Sequence, residues 1–113
     1  MTTLEILVKA RALLAEGWCQ GQGIAIREGI VYKRDICNAL NDAAGGGGGG
    51  LSALGGVEER EAFTIVWDAT GGEGIINFND TPGRTLDEVL YVMDTCIYTL
   101  ETHELETASV KPE

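Results

Sequence analysis

At 113 residues, 44% of them apolar and with a mean hydropathy of +0.03, the chain can build one small core and is too apolar for wholesale disorder. Eight Lys and Arg stand against eighteen Asp and Glu, a net charge of −10, which argues against direct nucleic-acid binding, because phosphate neutralisation drives that binding. No run approaches the ~20 apolar residues of a membrane span, and the N-terminus lacks the basic segment and long apolar run of a secretory signal.

The first predicted element is a helix. Thr2 and Glu5 stand at capping-box spacing, so each side chain can satisfy the other's backbone N–H. Leu4, Ile6, Leu7, Val8, Ala10, Leu13 and Leu14 then form a wide apolar face. Gly17 is expected to stop this helix in a left-handed conformation, with Trp18 folded back near Leu13 as a structural plug. A Gly-rich bend, Cys19-Gln20-Gly21-Gln22-Gly23, leads into Ile24-Ala25-Ile26 and Ile30-Val31-Tyr32 around Arg27-Glu28-Gly29. Two short apolar runs about a Gly-containing turn predict a hairpin or extended pair near 24–32, which needs a helix to rest on.

A second helix is expected from Lys33 or Asp35 to Ala44, with Ile36, Cys37, Leu40, Ala43 and Ala44 inward and Asn38, Asn41 and Asp42 outward. Gly45–Gly50, six glycines in a row, is too costly in entropy for regular structure and reads as a flexible surface loop. Leu51-Ser52-Ala53-Leu54 is expected to return to the core. The segment Val57–Ala69 fits a helical face through Ala62, Phe63, Val66 and Trp67 and a strand face through Phe63, Ile65 and Trp67. Its acidic first turn, Glu58, Glu59 and Glu61, favours helix. After Gly71-Gly72-Glu73-Gly74, the run Ile75-Ile76-Asn77-Phe78 is expected to be extended, entering the turn Asn79-Asp80-Thr81-Pro82-Gly83. Thr85 and Glu88 form a second capping box. The last helix follows from Leu86, with Val89, Leu90, Met93, Cys96, Ile97 and Leu100 inward and Asp87, Tyr91, Asp94, Tyr98 and Glu101 outward. The reading is a mainly α protein of three or four helices around one small core with one short hairpin. It forms a single globular domain over 1–107, and 108–113 is a disordered tail.

Two stretches carry a family resemblance: A-R-A-L-L-A-E-G-W-C-Q-G at 10–21 and N-D-T-P-G-R-T-L-D-E-V-L at 79–90. With Cys37-Asn38-Ala39-Leu40 between them, they resemble an uncharacterised family of small bacterial and phage domains. In that family's pattern a Gly is usual where Asn38 stands and a Trp often stands at Phe78, while the hexaglycine run is a local insertion. The resemblance implies a compact, mainly helical domain and no particular activity.

The chemistry to be weighed is sparse. Three cysteines, Cys19, Cys37 and Cys96, leave an odd one if two pair, and free thiols in a reducing cytoplasm, the host's if the protein is phage-encoded, are the expected state. Cys19 could be drawn as a nucleophile with His103 and Asp80, although a buried Cys acting as a small apolar residue explains it as well. One His and scattered Cys give no metal spacing, and no Gly-Lys-Ser/Thr follows the glycines, so no metal and no cofactor is expected.

Two polar constellations remain. Trp18, Gln20, Gln22, Asn77, Asn79, Asp80 and Arg84 are candidates to line a cleft between 18–22 and 77–84 for a small polar or anionic ligand. Their local alternative is to satisfy turn backbone, with Arg84 paired to Asp80 or Asp87. Asp87, Asp94 and Glu101 recur every heptad, with Tyr91 and Tyr98 between them, as a surface for a basic protein partner. The functional expectation is a non-catalytic accessory protein of a bacterium or phage that binds a partner protein through this acidic face. The alternatives are capture of a small ligand in the cleft and a Cys19-dependent hydrolase. Homo-oligomers are compatible with the reading, and a membrane is not.

Overall fold

The computed structural model describes residues 2–45, 56–72 and 74–109, with side chains through 103. It is mainly helical, in the order α1 (Thr3–Glu16), β1 (Ile24–Arg27), β2 (Ile30–Arg34), α2 (Ile36–Ala43), α3 (Val57–Ala69), α4 (Ile75–Asp80) and α5 (Leu86–Ser109). That is five helices among the described residues where three or four were expected. No helix of these residues is long and apolar enough to cross a membrane.

Both capping boxes form. Thr2 Oγ1 accepts from the Glu5 N–H at 3.0 Å and Glu5 Oε1 from the Thr2 N–H at 2.8 Å. Thr85 Oγ1 and Glu88 Oε1 make the same exchange at 3.2 and 2.9 Å. Each box fixes a helix start by satisfying N–H groups that have no partner inside the helix. α1 is the central element, packed against α2, α3, α5 and β2. Its buried Leu7, Ala10 and Leu14 meet Leu40 and Ala43 of α2, Ala62 and Val66 of α3, and Val89 and Met93 of α5 in one core.

Gly17 ends α1, but not as expected. Its φ is −177° and ψ 119°, an extended conformation open to any residue. The glycine is required for contact instead: a Cβ there would overlap the carbonyl oxygen of Tyr32. Gly17 O accepts from Arg34 N–H at 2.9 Å and Arg34 O from Cys19 N–H at 3.1 Å, so Trp18 runs parallel to the end of β2 as a short bridge. This pairing anchors the hairpin to the helical body. β1 and β2 are antiparallel, joined through Glu28 (φ 54°) and Gly29 (φ 80°). Positive φ at both turn residues matches the right-handed twist of the strands.

Two boundaries differ from expectation. Lys33 and Arg34 belong to β2, and α2 starts at Ile36 behind the N-cap Asp35, whose Oδ1 accepts from Asn38 N–H at 2.7 Å. Asn41, expected outside, is buried. Val57–Ala69 is helical as chosen, with Ala62 and Val66 in the core, whereas Glu59 of its acidic first turn is buried and Trp67 is about half exposed. Of the hexaglycine run only Gly45 is among the described residues; 46–50 and Leu51–Leu54 lie outside them, as do 110–113. Ala108 and Ser109, assigned to the tail, continue α5.

The main correction is α4. Ile75–Phe78 is helical, with Phe78 N–H bonded to Gly74 O at 3.0 Å and the Thr81 hydroxyl to Asn77 O at 2.7 Å. β-branched Ile75 and Ile76 favour an extended chain, but a helical turn buries Ile75 and Asn79, four apart, on one side while turning Asn77 between them out to solvent.

Replacing Gly17 by Ala should destabilise the protein by about 2 kcal/mol, because overlap with backbone cannot be relieved by a rotamer change. Gly29→Ala, at a positive φ facing open space, should cost about 1 kcal/mol. Urea unfolding midpoints of the two variants check the order; a Gly17→Ala protein as stable as wild type would contradict the close approach.

Candidate functional site: a closed polar seam and an open tyrosine face

The bend after α1 and the end of α4 do meet, and the junction centres on Asn79, 1% exposed. Its Oδ1 accepts from Trp18 Nε1 at 2.8 Å and from the Ile36 N–H at 3.0 Å. Its Nδ2 donates to Cys19 O at 3.0 Å and Asp80 Oδ1 at 2.9 Å. A carboxamide has two acceptor and two donor positions, and all four are filled. An indole N–H can only donate and a peptide oxygen only accept, so the partners themselves fix which end of the amide is oxygen. The bond to Ile36 also caps the first N–H of α2, which no residue inside that helix can reach.

The neighbours extend the seam. Gln20 Nε2 donates to Asn79 O at 3.0 Å and Thr81 O at 2.9 Å, and Asp80 Oδ1 also accepts from the Gly21 N–H at 2.9 Å. Of the seven residues proposed to line a ligand cleft, the structure thus brings Trp18, Gln20, Asn79 and Asp80 together, bonded to one another and to the backbone. Gln22 is exposed beside them.

Asn77 is elsewhere. An extended chain would put Asn77 and Asn79 on one face, but on a helix residues two apart diverge. Asn77 therefore faces an open groove of about 580 Å³ between α3 and α4, with Phe63, Trp67, Ile76 and Cys37. This apolar groove was not foreseen; the helical reading of Ile75–Asp80 would have revealed it.

Arg84 is also engaged differently from expectation. Its Nε donates to Phe78 O at 3.0 Å and its guanidinium lies 3.7 Å over the Phe78 ring. Its carboxylate neighbour is Glu88 at 3.7 Å, one helical turn on, and not Asp80 or Asp87.

The thiols are poor nucleophiles. Burial pushes the Cys19 thiol above its ordinary value, helped by the nearby negative charge of Asp35. Cys37 and Cys96 are each raised from 9.0 to about 11, chiefly by burial. A catalytic thiol needs the opposite shift. His103 is exposed on α5. All three cysteines are free, and among the described residues no three His, Cys, Asp or Glu side chains gather in a way that could hold a metal ion.

The outer face of α5 is as read from its heptads. Asp87, Tyr91, Asp94, Tyr98 and Glu101 are all exposed, Tyr91 by 72% and Tyr98 by 69%. Arg11 reaches across from α1 to Asp94 at 2.8 Å, leaving Asp87 and Glu101 at the two ends of the stripe.

Fold and seam define a small, mainly α domain whose N-terminal bend is locked to the turn before its last helix. The chain belongs to the family of unknown function DUF6197, which matches residues 1–99. No curated protein and no solved structure matches it.

Asn79→Ala should cost about 3 kcal/mol, since it leaves buried donors and acceptors without partners, while Gln20→Ala, at an exposed site, should cost about 1 kcal/mol. Chemical denaturation measures both; equal losses would deny Asn79 its central place. For the thiols, the folded state holds its protons more tightly than the unfolded chain. Their contribution to stability is therefore complete below pH 9.0 and is lost as the pH rises towards about 11. The urea midpoint should fall over that range, and by less in a Cys37→Ala protein. Alkylation at neutral pH should be slow until the protein is unfolded.

Proposed function

We propose that this protein is a non-catalytic binding protein that engages a basic protein partner through the outer face of α5. The observation that carries the reading is the pair of tyrosines, Tyr91 and Tyr98, standing in solvent one heptad apart between Asp87, Asp94 and Glu101. Tyr offers a large amphipathic contact with only two side-chain torsions to immobilise, which is why it is enriched at interfaces. The carboxylates around it select cationic partners and speed encounter.

The alternatives have less support. A polar ligand between 18–22 and 77–84 would have to displace bonds that Asn79, Gln20 and Asp80 already make. A hydrolase using Cys19 would need a thiolate where burial favours the thiol. An accessory role in a bacterium or phage is part of the same reading and rests on the motif resemblance at 10–21 and 79–90 alone, while residence in a reducing cytoplasm goes with the three free thiols.

The test is direct binding of a synthetic amphipathic peptide of lysine and leucine, followed by fluorescence anisotropy. Tyr91→Ser combined with Tyr98→Ser should weaken binding about tenfold or more, equivalent to about 1.4 kcal/mol, without changing thermal stability. Binding should also weaken as salt is raised. Affinity indifferent to the two tyrosines would overturn the proposal.

A further inference from the structure

The positive charge of this acidic chain is unevenly placed. Residues 24–34 carry Arg27, Lys33 and Arg34 against Glu28, a net +2, so the remainder of the −10 chain carries −12. Arg34 is held by Asp42 of α2 at 2.6 Å. Arg27 and Lys33 are held instead against an aromatic ring, 4.6 and 5.6 Å from the centre of Tyr32.

The strand register sorts the rest of the hairpin. Arg27 pairs with Ile30 across the turn, and Ile26 pairs with Val31. Cross-strand partners share a face and alternate residues return to it. A bulge at Tyr32 interrupts the alternation there, and it is the Arg27 guanidinium lying over the Tyr32 ring that sets the two side by side; Arg27, Ile30 and Tyr32 thus form one face, all of them exposed, with Ile30 at 68%. This small patch joins an apolar centre to two cations. It complements the tyrosine face of α5 in charge and in kind: Ile30 against Tyr91 and Tyr98, guanidinium and ammonium against carboxylates.

We infer that the basic partner of the α5 face is a second copy of this chain, which presents the Arg27, Ile30 and Tyr32 face of its hairpin. The inference rests on the tyrosine face being a docking surface. Two different surfaces meet, so the contact is head-to-tail, and each dimer still offers one free surface of each kind, one on either copy. Growth then continues into short chains or closes into a ring. Net repulsion between two −10 bodies opposes the contact, but at about 0.15 M salt charges more than roughly 8 Å apart are largely screened while the touching patches are not. Association is therefore strongest at intermediate salt and weaker at both extremes.

The experiment is sedimentation velocity on the full chain across a concentration series at low, intermediate and high salt. Species larger than 12.0 kDa should grow with concentration, most strongly at intermediate salt. Arg27→Gln with Ile30→Thr, and separately Tyr91→Ser with Tyr98→Ser, should each remain monomeric while keeping the wild-type circular dichroism. An equimolar mixture of the two variants should form a one-to-one dimer and stop there, since each supplies the surface the other lacks. A wild-type protein that stays monomeric at every salt concentration overturns the inference, as does association unaffected by either variant. If that monomer still binds the lysine–leucine peptide through Tyr91 and Tyr98, only the self-pairing is lost. If it binds neither, the docking face is lost as well.

Discussion

The carboxamide of Asn79 is the constraint on which the site region depends. One side chain, shut away from solvent, ties the bend after α1, the first turn of α2 and the end of α4 into a single unit. A buried amide left with one bond unmet costs about 1–3 kcal/mol, more than the roughly 1 kcal/mol net gain of making that bond, so it tolerates little rearrangement around it. That requirement accounts for neighbouring choices. Trp18 must bring its indole N–H inward, Gly17 must let β2 approach so that the bend is held, and residues 75–80 must coil so that Asn79 points into the protein.

The same bonds occupy the polar groups that a ligand there would have to engage. Polar residues concentrated at a turn invite a reading as a binding pocket, and the residues do converge. Once they have converged, however, Gln20, Asn79 and Asp80 are occupied with one another and with peptide groups. Arg84, the natural anion receptor of the group, lies flat on Phe78 and bonds its carbonyl. The polar residues of 18–20 and 79–84 are thus explained by the fold, and surfaces with unspent binding capacity have to be sought elsewhere.

Those surfaces are simple in kind. α5 shows solvent two tyrosines among carboxylates, and the hairpin shows it Ile30 among cations. Neither exposure helps the core, and each is the sort of amphipathic patch that gains from being covered. Their opposite charge on one molecule is the feature on which the proposed self-association rests.

Elements whose signals are local were legible in the chain. Both capping boxes, the apolar stripes of α1 and α5, the helical choice over Val57–Ala69 and the hairpin about Glu28-Gly29 depend on residues within a turn or two of one another. The exposed stripe of α5 followed from heptad spacing alone. What failed depended on partners far away in sequence. Gly17 has its reason in Tyr32, Asn41 is drawn inside, and Ile75–Phe78 gives up its extended preference. The last of these decided the most: a period of two would have set Asn77 beside Asn79, whereas a period of 3.6 sends Asn79 to the seam and Asn77 to the groove. Local propensity amounts to a few tenths of a kcal/mol per residue, and burying a fully satisfied amide with Ile75 outweighs it, so only the tertiary structure could settle that segment.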